Sequence, residues 1–385
     1  MPLEKLLSSQ GPDGAIPRKR ASRMSNEEIA ASTRHSGSPT SDILFPTGLS
    51  ASTRRRNDEL RVLGESGGRL YAIGFSDVRE AAERLDGVVK RTPVANSPRL
   101  DEMAGRRVLL KCENLQHVGA FKFRGASNAL ELLEDASNGV CTHSSGNHAQ
   151  AVALAAKLHG VPAYIVMPRN APKVKVRGVE GHGAEITFCE PTIEARTSAA
   201  DSVIRRTGAS FIHPFDNDSV IAGQGTAALE LLQDHGPLDA VMAPIGGGGL
   251  MSGTCIATRE SAPHARLFGA EPEGADDAAR SLASGEFVQQ TAPETICDGL
   301  LTSMGTKTWP IIRDHLEGIV TVSDSEVLEA MTILHDEFDM VVEPSGAVTL
   351  AAILKKEFVQ LEGIGSIGII LSGGNVDVDK LPFET

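Results

Sequence analysis

Ala120-Phe121-Lys122-Phe123-Arg124-Gly125-Ala126 sets one lysine between two phenylalanines and ahead of an Arg-Gly pair. A lysine hemmed in this way loses part of its hydration, which lowers its pKa and frees a neutral amine for Schiff-base chemistry. Two other stretches belong with it. Ser144-Ser145-Gly146-Asn147-His148 follows the apolar run Val140-Cys141-Thr142, and Gly246-Gly247-Gly248-Gly249 follows Ala240 to Pro244. At the second of these junctions a strand gives way to a helix, so free backbone N–H groups and the positive end of a helix converge on an anion. A phosphate cradle fits there, with the Leu250 amide contributing. No Gly-Lys-Ser/Thr follows, which excludes a nucleotide P-loop.

Working outward, apolar periodicity alternates along the chain. Ser76 is expected to cap a helix running to Val88, with Val78, Ala81, Ala82 and Leu85 on one face. Strands are expected at Arg107 to Lys111, Val140 to Thr142, Ala163 to Met167, Ala184 to Phe188, Phe211-Ile212, Ala240 to Pro244 and Ile367 to Leu371, the last ending at Ser372. Helices are expected over Ala126 to Leu133, from the Ser144–His148 loop to Leu158, and from about Met251. Such alternation specifies an α/β fold with parallel sheets and crossover helices, and ligands in these folds gather at the carboxyl ends of strands, where all three motifs fall.

With 385 residues, the chain exceeds one comfortable core and suggests two lobes plus an extension. Residues 1–70 hold 11 Lys and Arg against 8 Asp and Glu, a balance of +3, and the rest, with 26 against 42, carries −16, for a net charge of −13. That first segment is rich in Ser, Arg, Pro and Gly without sustained apolar period, and reads as a mostly disordered extension. Glu4 and Asp13 count against a transit peptide, and no apolar core of a signal peptide is present. The acidic balance argues against nucleic acid, and no apolar run reaches membrane-spanning length. Cys112, Cys141, Cys189, Cys255 and Cys297 form no C-x-x-C pair or secreted framework, which points to reduced thiols and a cytoplasmic location.

One amine, one anion-receiving loop and one phosphate cradle together suggest pyridoxal phosphate held on Lys122, with its phosphate anchored far along the chain. The stretches Cys112 to Ala126, Thr142 to Ala151, Ile221 to Thr226 and Leu371 to Asp377 resemble, in order, the motifs of fold-type II pyridoxal-phosphate enzymes of the serine racemase and serine/threonine dehydratase family. The resemblance runs from about Phe75 to Asp379 and is strongest to serine racemases and 3-hydroxyaspartate dehydratases. Biosynthetic threonine dehydratases fit less well, since they carry a long C-terminal regulatory region and only 10 residues follow Asn375 here.

The resemblance implies a two-lobed, tryptophan synthase β-like fold, with 71–138 and 217–385 as the large cofactor domain and 139–216 as the small one. It implies that Phe121, Lys122, Asn147, Gly246, Gly247, Gly248, Gly249, Leu250 and Ser372 hold the cofactor, Ser372 facing the pyridine nitrogen. Ser144, Ser145, Asn147 and His148 would receive the substrate, Ser145 also serving as acid or base opposite Lys122, where many plain dehydratases have alanine. Glu271, the Ala275 carbonyl and Asp277 would bind Mg²⁺, Mn²⁺ or Ca²⁺. Arg196 matches a position near the substrate's distal end, and Thr302 stands where racemases often have serine.

Blander readings stand beside these: Ser144 or Ser145 as a helix cap, His148 as a core histidine, the Glu271–Asp277 run as a solvated loop, and Arg196 as a surface residue. The implied activity is deamination of L-serine or L-threonine to the 2-oxo acid and ammonia, with serine racemisation alongside. The alternatives are 3-hydroxyaspartate dehydration and a non-catalytic cofactor-binding protein. A homodimer acting on a small hydroxy amino acid is expected, with room for a nucleotide effector.

Overall fold

The computed structural model describes residues 43–44, 71–171 and 173–376. Short runs of β-branched and aliphatic residues form two sheets. In chain order the strands are β1 (Ile43–Leu44), β2 (Val94–Ala95), β3 (Arg107–Cys112), β4 (Val140–His143), β5 (Ala163–Pro168), β6 (Glu185–Cys189), β7 (Ser210–Phe211), β8 (Ala240–Pro244), β9 (Arg266–Pro272), β10 (Gly318–Val322) and β11 (Ser366–Leu371). A seven-stranded sheet runs in the order β1-β10-β9-β8-β11-β3-β2, and a four-stranded sheet in the order β6-β5-β4-β7. All pairings are parallel except the edge strands β1 and β2.

Central strands such as Ile367 to Leu371 are buried on both faces, which is why they read as continuous apolar runs rather than alternating ones. One face of the larger sheet is covered by helices Asp218–His235 and Gly249–Ser261, and the other by Pro344–Leu354. The smaller sheet shares its core with two helices. Asn147–His159 supplies Ala149, Val152, Ala153 and Ala156, and Lys122–Glu131 supplies Phe123, Ala126 and Leu130.

Several boundaries differ from the sequence expectation for local reasons. The helix expected from Ser76 is Phe75–Arg84, and its N-cap is Gly74, whose N–H donates to Asp77 at 2.7 Å, so Ser76 lies inside the first turn. The helix expected from Ala126 begins four residues earlier, at Lys122, and the one expected from Met251 begins at Gly249. Within 1–70, read from the sequence as a mostly disordered extension, Ile43–Leu44 pairs antiparallel with β10 through Ile43–Val320 and Leu44–Ile319. Ile43 is 3% exposed and joins the core beside Val320, so one apolar pair in a polar segment suffices to cap a sheet edge. The rest of that expectation lies outside the described residues.

Candidate active site

Lys122 opens its helix at the point where the chain crosses the end of β11. The Phe121 N–H donates to the Ser372 carbonyl at 3.1 Å, and Ala120 bridges Gly373. The Lys122 ammonium donates to the Pro214 carbonyl at 2.8 Å and lies 5.0 Å from the centre of the Phe121 ring. Burial pushes this amine down to about 8, with Glu343 as the opposing influence. A substantial neutral fraction therefore exists near physiological pH.

The tetraglycine joins β8 to the helix Gly249–Ser261, as expected, and its N-cap is Gly248 in the left-handed region at φ +85°. A side chain on Gly248 would stand 2.8 Å from Thr308 Oγ1, and one on Gly247 would overlap the Phe215 ring. Only glycine leaves this turn open. The first N–H groups of the helix have no preceding turn to bond, so the loop presents donors to an anion. Phe215 adjoins the Pro214 carbonyl that holds Lys122, which links the amine to the cradle.

At the end of β4 the helix Asn147–His159 is capped by Gly146 without a side-chain bond, so neither Ser144 nor Ser145 is the cap. Ser144 Oγ accepts from Gly146 N–H at 3.3 Å, and half-buried Ser145 makes no hydrogen bond through its hydroxyl among the described residues. Asn147 donates to Glu343 at 2.6 Å and accepts from the Asn375 amide at 3.0 Å, which ties the loop to the end of β11. His148 is buried, with Nε2 3.2 Å from the Ile212 carbonyl and Nδ1 unpartnered. Burial first, then the charge of Lys122, holds that imidazole well below its ordinary pKa, so it is neutral. His213, whose Nδ1 accepts from Asp216 N–H at 2.8 Å, is likewise pushed down to about 4 by burial.

Ser372 is buried at the end of β11, and its hydroxyl donates to the Ser345 carbonyl at 3.3 Å. Arg196 is half-buried, its Nε has no partner, and its charge helps burial lower the pKa of His143, the residue before Ser144. Thr302 is exposed, in a segment whose Leu300 and Gly305 touch Gly246 and Gly247.

Glu271 and Asp277 are both wholly buried. Glu271 accepts the N–H groups of Ala278 at 3.2 Å and Ala279 at 2.8 Å, while Asp277 accepts from Met304 N–H at 3.2 Å and leaves Oδ1 without a partner. Burial, then Asp277, raises Glu271 well above the carboxylate range, and burial raises Asp277 to about 6. The solvated-loop reading therefore fails. Among the described residues no cluster of three or more His, Cys, Asp and Glu side chains suited to a metal occurs, so a cation here would rest on two carboxylates, the buried Ala275 carbonyl and other oxygens.

Against known proteins, the sequence profile described as "Pyridoxal-phosphate dependent enzyme" matches residues 85–373. The chain belongs to that family. It is 47% identical to a serine racemase of Dictyostelium discoideum over 316 residues, covering 81% of this chain and 98% of that protein. It is 45% identical to a beta-hydroxyaspartate dehydratase of Paracoccus denitrificans over 82% of this chain and 100% of the relative. The solved structure of maize serine racemase superposes with a TM-score of 0.80 at 46% identity, covering 81% of this chain and 96% of that one. Membership makes the protein a pyridoxal-phosphate enzyme, and the open glycine turn and the half-buried amine fit that cofactor.

Four contributors to the site went unread in the sequence: Pro214, Phe215, Glu343 and Asn375. Asn375 stood inside the Leu371–Asp377 motif without a role of its own, and Glu343 carried a signal as a lone acid in Met340-Val341-Val342-Glu343-Pro344 that an apolar setting would bury.

Proposed function

We propose that this enzyme converts L-serine and L-threonine to 2-oxo acids and ammonia, with racemisation of serine in parallel. The observation that carries the reading is the Lys122 amine, lowered to about 8 and tied to the glycine loop through Pro214-Phe215 and to Ser372 through Phe121. Bound pyridoxal phosphate supplies an aldehyde that condenses with amines and a ring that takes up the electrons left by the α-proton. Gly246 to Leu250 would hold its phosphate, Asn147 its phenolic oxygen and Ser372 its ring nitrogen.

The Ser144–His148 loop receives the substrate carboxylate at a helix N-terminus. Lys122 removes the α-proton from its own side, and a base with a pKa near the working pH suits that task. The β-hydroxyl leaves as water, and the resulting enamine takes water back to release ammonia and the 2-oxo acid. Racemisation needs a second proton donor on the opposite side. The Ser145 hydroxyl, uncommitted among the described residues, is the residue assigned to it.

A second reading, 3-hydroxyaspartate dehydration, is favoured by Arg196, whose Nε has no partner and whose charge acts on His143, as suits a distal carboxylate. Mg²⁺, Mn²⁺ or Ca²⁺ at Glu271, Ala275 and Asp277 is supported by the orphaned Asp277 oxygen. The reading further takes 139–216 as the small lobe, 71–138 with 217–385 as the large one, a homodimer as the assembly, a nucleotide as an effector to be tested, and the cytoplasm as the location. Five free, buried cysteines support that location, and among the described residues no helix is long and apolar enough to cross a membrane.

A panel of L-serine, D-serine, L-threonine and 3-hydroxyaspartate, scored for ammonia, oxo acid and D-amino acid, tests the proposal. Oxo acid from L-serine or L-threonine, lost in a folded Lys122→Ala variant, is expected. Turnover confined to 3-hydroxyaspartate would transfer the assignment to the second reading, and turnover surviving Lys122→Ala would end both.

A further inference from the structure

Two residues beyond Lys122, the Arg124 guanidinium is wholly buried and spreads over two carboxylates. Nε and Nη2 donate to Glu113 at 2.8 Å each, and Nη1 and Nη2 donate to Glu230 at 2.7 and 2.8 Å. Nη1 also reaches Thr226 Oγ1 at 3.1 Å, and Nη2 the Lys90 carbonyl at 3.2 Å. Glu230 accepts in addition from Lys111 at 2.6 Å, and Glu113 from the Thr92 hydroxyl at 2.5 Å. Two cations thus balance two anions away from water. A cluster of this kind adds little stability over apolar packing of the same volume, because desolvation offsets the attraction. Its distinctive property is geometric, since a planar fork with both partners bound permits one placement.

The placement concerns the helix that carries Lys122. Lys111 is in β3, Glu113 follows it, and Glu230 is on the helix Asp218–His235, so Arg124 fastens the Lys122 helix to the larger sheet and to a helix covering it. Gly125 N–H adds a bond to Gln224 at 3.1 Å. The other face of the same helix, through Phe123, Ala126 and Leu130, packs in the core of the smaller sheet. The helix is therefore shared between the two sheets, while the glycine cradle belongs to the larger one.

We propose that Arg124, gripped by Glu113 and Glu230, is the positioning residue that fixes the reach of the Lys122 amine relative to the cradle. The inference rests on the reading of Lys122 as the amine that condenses with the cofactor. Displacing a reacting group by about 1 Å costs on the order of 100-fold in rate, so a small shift of this helix is sufficient to be seen.

The test uses full-length protein stripped of cofactor, then given pyridoxal phosphate and quenched with borohydride at intervals. The pyridoxyl label on the Lys122 peptide is quantified by mass spectrometry. Arg124→Lys keeps the charge but cannot span both carboxylates. It is expected to slow labelling of Lys122 and to lower kcat per labelled site by about 10- to 100-fold, with KM within about threefold. Glu230→Gln is expected to do the same to a smaller degree. Glutamine keeps the shape of Glu230 and an acceptor oxygen for Arg124 or Lys111, so this variant decides the matter if Arg124→Lys does not fold. Wild-type labelling rate and kcat in a folded variant, with only the melting temperature lowered, would overturn the positioning role. A label on a different lysine of the wild-type protein would instead overturn the reading of Lys122, and the proposal with it.

Discussion

Replacing Glu343 by glutamine changes the pH dependence of stability in a way the structure sets. Glu343 is 3% exposed, with one oxygen on the Asn147 amide at 2.6 Å and the other without a partner. Burial, and after it the charge of Asp298, raises its carboxyl from 4.5 to about 7. A folded pKa above the unfolded one means that the folded state binds the extra proton, so this contribution is complete below pH 4.5 and is lost as pH rises through 7. Integrating between those two values gives a loss of about 2.5 kcal/mol between about pH 5 and pH 8.

Glutamine is neutral throughout and still accepts from Asn147, but its own amide adds a buried donor that costs about 1 to 3 kcal/mol. The variant is therefore expected to be less stable than wild type at pH 5 and close to it at pH 8. The diagnostic quantity is the difference between the two mutational effects, about 2.5 kcal/mol in favour of glutamine at the higher pH. Urea denaturation of both proteins at each pH measures it. A mutational effect that is the same at both pH values would mean that Glu343 is ionised throughout, and the account of its burial would be wrong.

Ser145→Ala is expected to abolish D-serine formation and to reduce elimination from D-serine far more than from L-serine, since Lys122 serves the L-enantiomer; equal losses, measured as oxo acid from each enantiomer, would remove Ser145 from the proton path. Chelation is expected to lower the melting temperature, with Mg²⁺ or Mn²⁺ restoring it, and Asp277→Asn should erase that response; unchanged melting in chelator would show that no cation stabilises the loop. Ile43→Asp is expected to release β1 from β10 and cost about 2 kcal/mol, the value of one buried isoleucine, as read by urea denaturation, with turnover retained; no change would mean that the strand does not contribute.

The parallel α/β pattern was legible in the chain because β3, β4, β5, β8 and β11 are short apolar runs whose burial on both faces leaves no competing period. The lysine motif and the tetraglycine were legible for a similarly local reason, each carrying its chemistry in consecutive residues. The cap at Gly74 was misread as Ser76, because the cap is chosen by where the backbone turns and not by which hydroxyl stands nearby. Tertiary structure alone decided the rest. Glu343 meets Asn147 across 196 positions, Lys122 meets Pro214 across 92, and Glu230 meets Arg124 across 106, separations over which no local propensity acts. The raised and lowered pKa values of Glu343, Asp277 and Lys122 belong to the same class, since desolvation is a property of the folded surroundings and not of the residue. Sequence determined which groups are available for chemistry, and packing of the two sheets determined which of them are dry, charged and within reach of one another.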